Sequence, residues 1–211
     1  MKVILINPNS TEAMTLSSIE TAQKVAPEIH FEGWTSFDGP SSIQGPEDGD
    51  YATKPLLELI KKANKEKPSG IIISCFDDTG LQQAREISLC PVLGIGEASF
   101  IFSNLHAGQT AIITTVYEAV PVIEKNIENS GYQNQINEVI AADVQVLDLE
   151  LNPAKSALKF AHAAKFLKPN IQNIILGCAG AVRIKDEFES ITGYRAFDGV
   201  TSAAKLCRAL V

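Results

Sequence analysis

The chain is predicted to be an α/β protein built from two pseudo-symmetric, doubly wound lobes with parallel sheets, and three observations carry that expectation. Short apolar runs rich in Ile and Val alternate with longer stretches of helical period. Two of the runs are near copies, Gly70-Ile71-Ile72-Ile73-Ser74-Cys75 and Asn173-Ile174-Ile175-Leu176-Gly177-Cys178, each delivering a cysteine at its C-terminal end, 103 residues apart in a chain of 211. The openings of the two halves also correspond: Val3-Ile4-Leu5-Ile6 runs into Asn7-Pro8-Asn9-Ser10-Thr11, and Ala111-Ile112-Ile113 runs into Thr114-Thr115-Val116-Tyr117.

Strands are expected at Lys2–Ile6, Ile29–Trp34, Gly70–Ser74, Val92–Gly94, Thr110–Thr114, Glu138–Ala141, Asn173–Leu176 and Tyr194–Phe197. Each is a four-to-six-residue apolar run or a fragment of one, and runs this continuously apolar belong to strands buried on both faces. Between them, helical period predicts helices near Ser10–Val25, Gly49–Glu66, Thr79–Ile87, Ile95–Leu105, Tyr117–Ser130, Pro153–Leu167, Val182–Ser190 and Gly199–Leu210. Such β-α alternation gives parallel sheets with helices on both sides. One lobe is expected to comprise residues 1–98 with 198–211, the last helix crossing back after Asp198-Gly199, and the other 99–197. Ligands of open α/β sheets sit outside the carboxyl ends of the strands, where Asn7, Cys75, Thr114 and Cys178 are all expected.

Composition narrows the function classes. A net charge of −7 and a pI near 5.0 argue against a nucleic-acid surface. Lys61, Lys62, Lys65 and Lys67 gather late in one expected helix, where they complement its dipole. The apolar N-terminal run is too short for a membrane span or a signal peptide. Cys75, Cys90, Cys178 and Cys207 lack CxxC spacing and fit reduced thiols of a cytoplasmic protein. His30, His106 and His162 stand apart from one another and from the cysteines, so no metal site is expected, and composition calls for no cofactor. There is no G-x-G-x-x-G opening a helix, no Walker loop and no nucleophile elbow.

The chemistry-bearing segments have two roles each. Asn9 or Ser10 can cap the first helix while Pro8 shapes the turn, and the same groups can aim at an anionic or carbonyl ligand. The long loop Ser36–Pro46, shaped by Gly39, Pro40, Gly45 and Pro46, is either a surface connection or a binding element. A single strand-end cysteine is ordinarily packing. Two at equivalent places in a duplicated fold point instead to one thiol on each side of a shared cleft. A helix N-terminus behind each thiol is expected to lower its pKa, with Asp77 or Asp78 serving as an N-cap. Cys90, before Pro91, and Cys207, on the last helix, are expected to be structural.

Together, Ile6-Asn7-Pro8-Asn9-Ser10-Thr11, Gly39-Pro40-Ser41-Ser42-Ile43, Ser74-Cys75-Phe76-Asp77, Pro91-Val92-Leu93-Gly94-Ile95-Gly96-Glu97-Ala98 and Leu176-Gly177-Cys178-Ala179-Gly180 resemble the aspartate/glutamate/hydantoin racemase superfamily, hydantoin racemase branch, across the whole chain. The resemblance implies cofactor-independent racemisation in the cleft between the lobes, a small-molecule substrate (a cyclic amide or amino-acid derivative) and a homo-oligomer. By position, it implies that Cys75 and Cys178 are a catalytic acid–base pair. Asn9, Ser42, Ile43, Phe76, Thr114, Thr115, Ala179 and Gly180 would line the substrate pocket. Thr114, Thr115 and backbone N–H groups beside the cysteines would hold the developing oxyanion. Asp78-Thr79-Gly80 and Ala181 depart from the family pattern, which commonly has Asp-Pro-Gly and Met, and bear on pocket volume. Alternatives within the resemblance are allantoin, aspartate or glutamate as substrate, or decarboxylation of small diacids through one cysteine. For an amino acid the countercharge would have to come from a residue such as Arg85 or Arg183. Outside it stand a non-catalytic small-molecule binding protein and a thiol-redox role.

Overall fold

A computed structural model describes residues 1–210. Its first half alternates strand and helix: β1 (Lys2–Asn7), α1 (Glu12–Val25), β2 (His30–Thr35), α2 (Pro46–Glu66), β3 (Gly70–Ile73), α3 (Leu81–Ile87), β4 (Val92–Gly94) and α4 (Ile95–Asn104). The second half repeats the scheme with β5 (Gln109–Thr114), α5 (Val120–Asn129), β6 (Ile136–Ala141), α6 (Asp148–Leu151), α7 (Pro153–Ala164), β7 (Ile171–Gly177), α8 (Lys185–Thr192), β8 (Arg195–Asp198) and α9 (Gly199–Leu210). All eight strands lie within one or two residues of the positions the apolar runs predict. Only α6, a single turn, is unforeseen among the helices.

The two sheets are parallel and share one strand order, β2-β1-β3-β4 and β6-β5-β7-β8. In each the cysteine strand, β3 or β7, pairs in parallel with the opening strand, β1 or β5. Pleating divides the first sheet's side chains between its faces. Ile4, Ile6, Ile71 and Ile73 pack with Leu56, Ile60 and Leu81 of α2 and α3. Val3, Leu5 and Ile72 face the other way, into an apolar core that runs on through Phe100 of α4 to Ile112, Ile175 and Leu176 of the second half.

That continuous core is assembled by α1, α4 and α9. Helix α9 packs on α1 and α4, and α4 reaches β7 and β8 of the second sheet. Helix α1 suits the middle position because its buried side chains are short, Thr15, Ser17, Ser18 and Ala22 beside Met14. Their hydroxyls are satisfied locally: Thr15 meets Thr35 at 2.7 Å and Ser18 meets Ser74 at 3.0 Å. Among the described residues no helix is long and apolar enough to cross a membrane.

Candidate active site

The carboxyl ends of β1, β3, β5 and β7 converge on one small cavity lined by both cysteines. β3 runs through Ser74 into Cys75, and β7 runs directly into Cys178. Asn9 closes it from the turn after β1, Met14 from α1, Thr114 and Thr115 from the end of β5, Ala119 from the turn before α5, and Val146 from the loop before α6. The cavity measures about 20 Å³, room for a water molecule and too little for an amino-acid-sized ligand, so binding a substrate requires the walls to separate.

The turn after β1 is held rigidly against the Ser36–Pro46 loop. Ser10 N–H donates to the Pro40 carbonyl at 2.8 Å and Thr11 Oγ1 to the Ser41 carbonyl at 2.7 Å. A Cβ on Gly39 would lie 2.3 Å from the Pro8 carbonyl oxygen, so this close approach needs glycine. Neither Asn9 nor Ser10 caps α1, contrary to expectation: Thr11 holds the cap position, and no side chain bonds the free N–H groups there. Asn9 Oδ1 instead accepts from Asn7 Nδ2 at 2.9 Å and Thr11 N–H at 3.0 Å, while its Nδ2 approaches Met14 Sδ at 3.5 Å. Asn7 supports this turn and does not itself line the cavity.

Cys75 and Cys178 are 9% and 7% exposed, screened but not sealed. The expected lowering of their pKa values is overturned. Burial pushes the Cys75 thiol far above the ordinary range, with Asp77 adding to the rise while Thr79 and the Asp77 N–H oppose it. Burial pushes Cys178 up to about 12, opposed by the N–H groups of Gly180 and Ala179. The helix ends are real but too weak against desolvation. Cys178 sits at the start of a 3₁₀ turn, Ala179–Arg183, whereas Cys75 lies six residues before the start of α3 and sees no helix N-terminus of its own. Thr79 supplies the local partner, its Oγ1 3.4 Å from Cys75 Sγ.

The two acids after Cys75 diverge. Asp78 does cap a helix, but a different one from its own: it accepts from the Gly96 and Glu97 N–H groups of α4 at 3.0 and 2.8 Å. Gly96 permits this docking, since a Cβ there would lie 2.3 Å from the Phe76 carbonyl oxygen. Asp77 faces the cavity, and burial raises its carboxyl to about 7.

Of the positions carried over from the resemblance, Asn9, Ile43, Phe76, Thr114, Thr115 and Ala179 line the cavity with the cysteines; Ser42 and Gly180 are buried beside it without lining it. Thr114 is already engaged as a donor, to the Gly177 carbonyl at 2.9 Å, which leaves its hydroxyl only lone pairs to offer an oxyanion. Thr115 has no such engagement among the described residues. Met14, Ala119, Val146 and Asp77 also line the cavity. The first three carry no recognisable signal, and Asp77 was visible only as a neighbour of Cys75. Arg85 pairs with Glu97 and Arg183 with Glu150, so neither cation enters the cavity. Cys207 is buried in the core and Cys90 is half-buried beside Ser88. All four thiols are free. A larger groove of about 530 Å³ beside Phe37 and Tyr51 shares no lining residue with the thiol cavity, so size alone does not mark the site.

Comparison with known proteins agrees with this geometry. The family model "Asp/Glu/Hydantoin racemase" matches residues 3–207. A hydantoin racemase of Rhizobium meliloti is 34% identical, the alignment spanning 100% of this chain and 89% of that protein. Among solved structures, allantoin racemase from Klebsiella pneumoniae superposes with a TM-score of 0.93 at 29% identity, covering 100% of this chain and 87% of that one. Allantoin racemase from Pseudomonas fluorescens gives 0.94 at 25% identity, covering 100% and 90%. With the duplicated sheet, the paired strand-end thiols and a family match over nearly its whole length, the chain belongs to the Asp/Glu/hydantoin racemase family and is a racemase.

Proposed function

We propose that the protein inverts the stereocentre of 5-substituted hydantoins by a two-base mechanism, without a cofactor, with Cys75 and Cys178 as the bases, in the reducing cytoplasm that free thiols suit. The single observation that carries this reading is that thiols from equivalent strand ends of the two halves line one cavity. On this reading residues 1–98 with 198–210 form one wall-bearing lobe (Val211 lies outside the described residues) and 99–197 the other, and they part to admit the ring. The C5 hydrogen of a hydantoin lies beside a ring carbonyl and is weakly acidic. One thiolate removes it, leaving an enolate-like anion delocalised onto that carbonyl oxygen, and the opposite thiol returns a proton to the other face. The thiolate and thiol have then exchanged protonation states. The Thr115 hydroxyl is the free donor placed to meet the oxyanion.

Substrate class follows from charge. An amino acid needs a fixed cation for its α-carboxylate, and no Arg or Lys lines the cavity among the described residues. An uncharged cyclic amide needs none. Because burial raises both resting thiols, the arriving ligand has to supply N–H groups that stabilise a thiolate before the proton moves.

The test is loss of optical rotation by pure enantiomers of alkyl- and benzyl-hydantoins, allantoin, aspartate and glutamate. Hydantoins are expected to racemise and free amino acids to remain unchanged. Cys75→Ser and Cys178→Ser should each lower the rate by at least about 10²–10⁴-fold, the usual worth of a positioned acid or base. Full activity in either variant ends the two-base proposal.

A further inference from the structure

Asp77 is the only charged side chain among the described residues that lines the thiol cavity. It also lines a groove of about 530 Å³ outside it, with Pro46, Asp50, Thr79, Lys125 and Asn126, and so stands in the wall between the two spaces. Its main chain is fixed across the halves by Asn126 Nδ2, which donates to the Asp77 carbonyl at 2.8 Å. Its carboxylate, by contrast, takes no hydrogen bond from any described residue, and burial is the one influence acting on it.

We propose that Asp77 sets substrate choice by accepting N–H groups from the end of a hydantoin's 5-substituent (a ureido, amino or guanidino group) and by rejecting substituents that end in a carboxylate. The inference rests on the hydantoin reading above and narrows it. With C5 held between the sulfurs, a substituent leaving on the Asp77 side passes into the outer groove. There Asp50 and Asp77 face a single cation, Lys125; Asp78 also lines the groove, but its oxygens are taken by the N–H groups of α4. Asp77 is half-buried, and no described group of the chain satisfies its carboxylate, so its lone pairs are available to a ligand's N–H groups. The same pairing helps the chemistry. Asp77 raises the pKa of both thiols, and a ligand N–H or cation that neutralises it lets a thiolate form more readily.

The experiment measures kcat/KM for optically pure 5-(4-aminobutyl)-, 5-isobutyl- and 5-(2-carboxyethyl)hydantoin and for allantoin, in the wild type and in Asp77→Asn and Asp77→Ser. For the wild type, aminobutyl and ureido substituents are expected to exceed isobutyl by tenfold or more, and carboxyethyl to fall below it by a similar factor. In both variants the aminobutyl-to-carboxyethyl ratio should collapse at least tenfold, mainly through KM. Ratios preserved in whichever variants fold by circular dichroism, or a wild type that turns over isobutyl- and carboxyethyl-hydantoin equally, overturn the role of Asp77 while leaving hydantoin racemisation standing. A wild type that racemises none of the four compounds removes the functional reading itself, and this inference with it.

Discussion

The two halves of the molecule place a cysteine at the equivalent point of two like-ordered sheets, yet they treat it differently. Cys178 begins a helical turn immediately, so the Ala179 and Gly180 N–H groups point back at its sulfur. Cys75 is followed by a loop, and its help comes from one hydroxyl, that of Thr79 3.4 Å away, and one N–H, that of Asp77. Asp77 acts against both, but it is the second-largest influence on Cys75 and a lesser one on Cys178. Duplication therefore preserves where a reactive group stands more faithfully than how strongly it is activated. The strand order is dictated by burial of β-branched residues, which both halves retain. Activation depends on the five or six residues after each strand, and there the halves have diverged. Cys178 is on these grounds the more easily deprotonated of the two, and Cys75 the one held more firmly as the thiol.

The sharpest way to break that comparison is hydrogen exchange at C5 in deuterated solvent. In Cys75→Ser, Cys178 still faces one side of the ring. It should wash deuterium into one enantiomer with retention, while racemisation falls by at least about a hundredfold. Cys178→Ser should exchange only the opposite enantiomer, and more slowly. Proton NMR of the C5 position with chiral analysis of the product checks both. Exchange of the same enantiomer by both variants would show that the sulfurs do not flank the carbon from opposite sides.

A smaller effect sharpens the asymmetry. Thr79→Val removes the hydroxyl beside Cys75 and should raise that thiol further, leaving Cys178 as it was. Because the two enantiomers of a hydantoin are equal in free energy, kcat/KM falls equally in both directions, by roughly threefold to tenfold for one lost hydrogen bond. The pH at which activity rises should move upward with it. Alkylation by iodoacetamide, mapped by mass spectrometry, is expected to favour Cys178 over Cys75 in the wild type and to do so more strongly in Thr79→Val. A parallel slowing of both thiols would mean that Thr79 acts on the cavity as a whole.

Much of this was legible before any coordinates. Continuous runs such as Ile71-Ile72-Ile73 and Ile174-Ile175-Leu176 have few places to go except a doubly covered sheet, and so all eight strands could be located. What escaped notice depends on features with no period. Helix α6 is four residues long, too short to show a stripe, and the loop before it brings Val146 to the cavity with no pattern to announce it. The capping chemistry was half legible: Asp78 does serve as an N-cap, though for α4 and not for the helix that follows it, while Asn9 spends its side chain within its own turn. The direction of the thiol shifts was missed because helix ends can be read from a sequence and depth of burial cannot.

Asp77 and Asp78 bring the contrast between support and exposure down to adjacent residues, and they carry the smallest effect. Asp78 is satisfied by two N–H groups of α4, so Asp78→Ala should cost about 1 kcal/mol, the usual worth of a helix cap. Asp77 has no donor, and its folded pKa of about 7 lies above the ordinary aspartate value. The folded state then holds a proton that the unfolded chain has released, and stability contributed by that proton is present at low pH and lost as pH rises from roughly 4 to 7. Every tenfold difference in proton affinity is worth about 1.4 kcal/mol, and residual solvent access holds the loss to the order of 1–3 kcal/mol. Asp77→Asn should flatten part of that profile and leave the protein more stable than wild type at pH 8; burial raises Asp78 to about 7 as well, despite its two N–H partners, so Asp78→Ala should lose the cap and flatten the profile too. Urea midpoints taken between pH 4 and 8 measure both slopes. A difference between wild type and Asp77→Asn that does not change over this range would mean that Asp77 is paired in solution, and its place in the cavity wall would then owe nothing to a ligand.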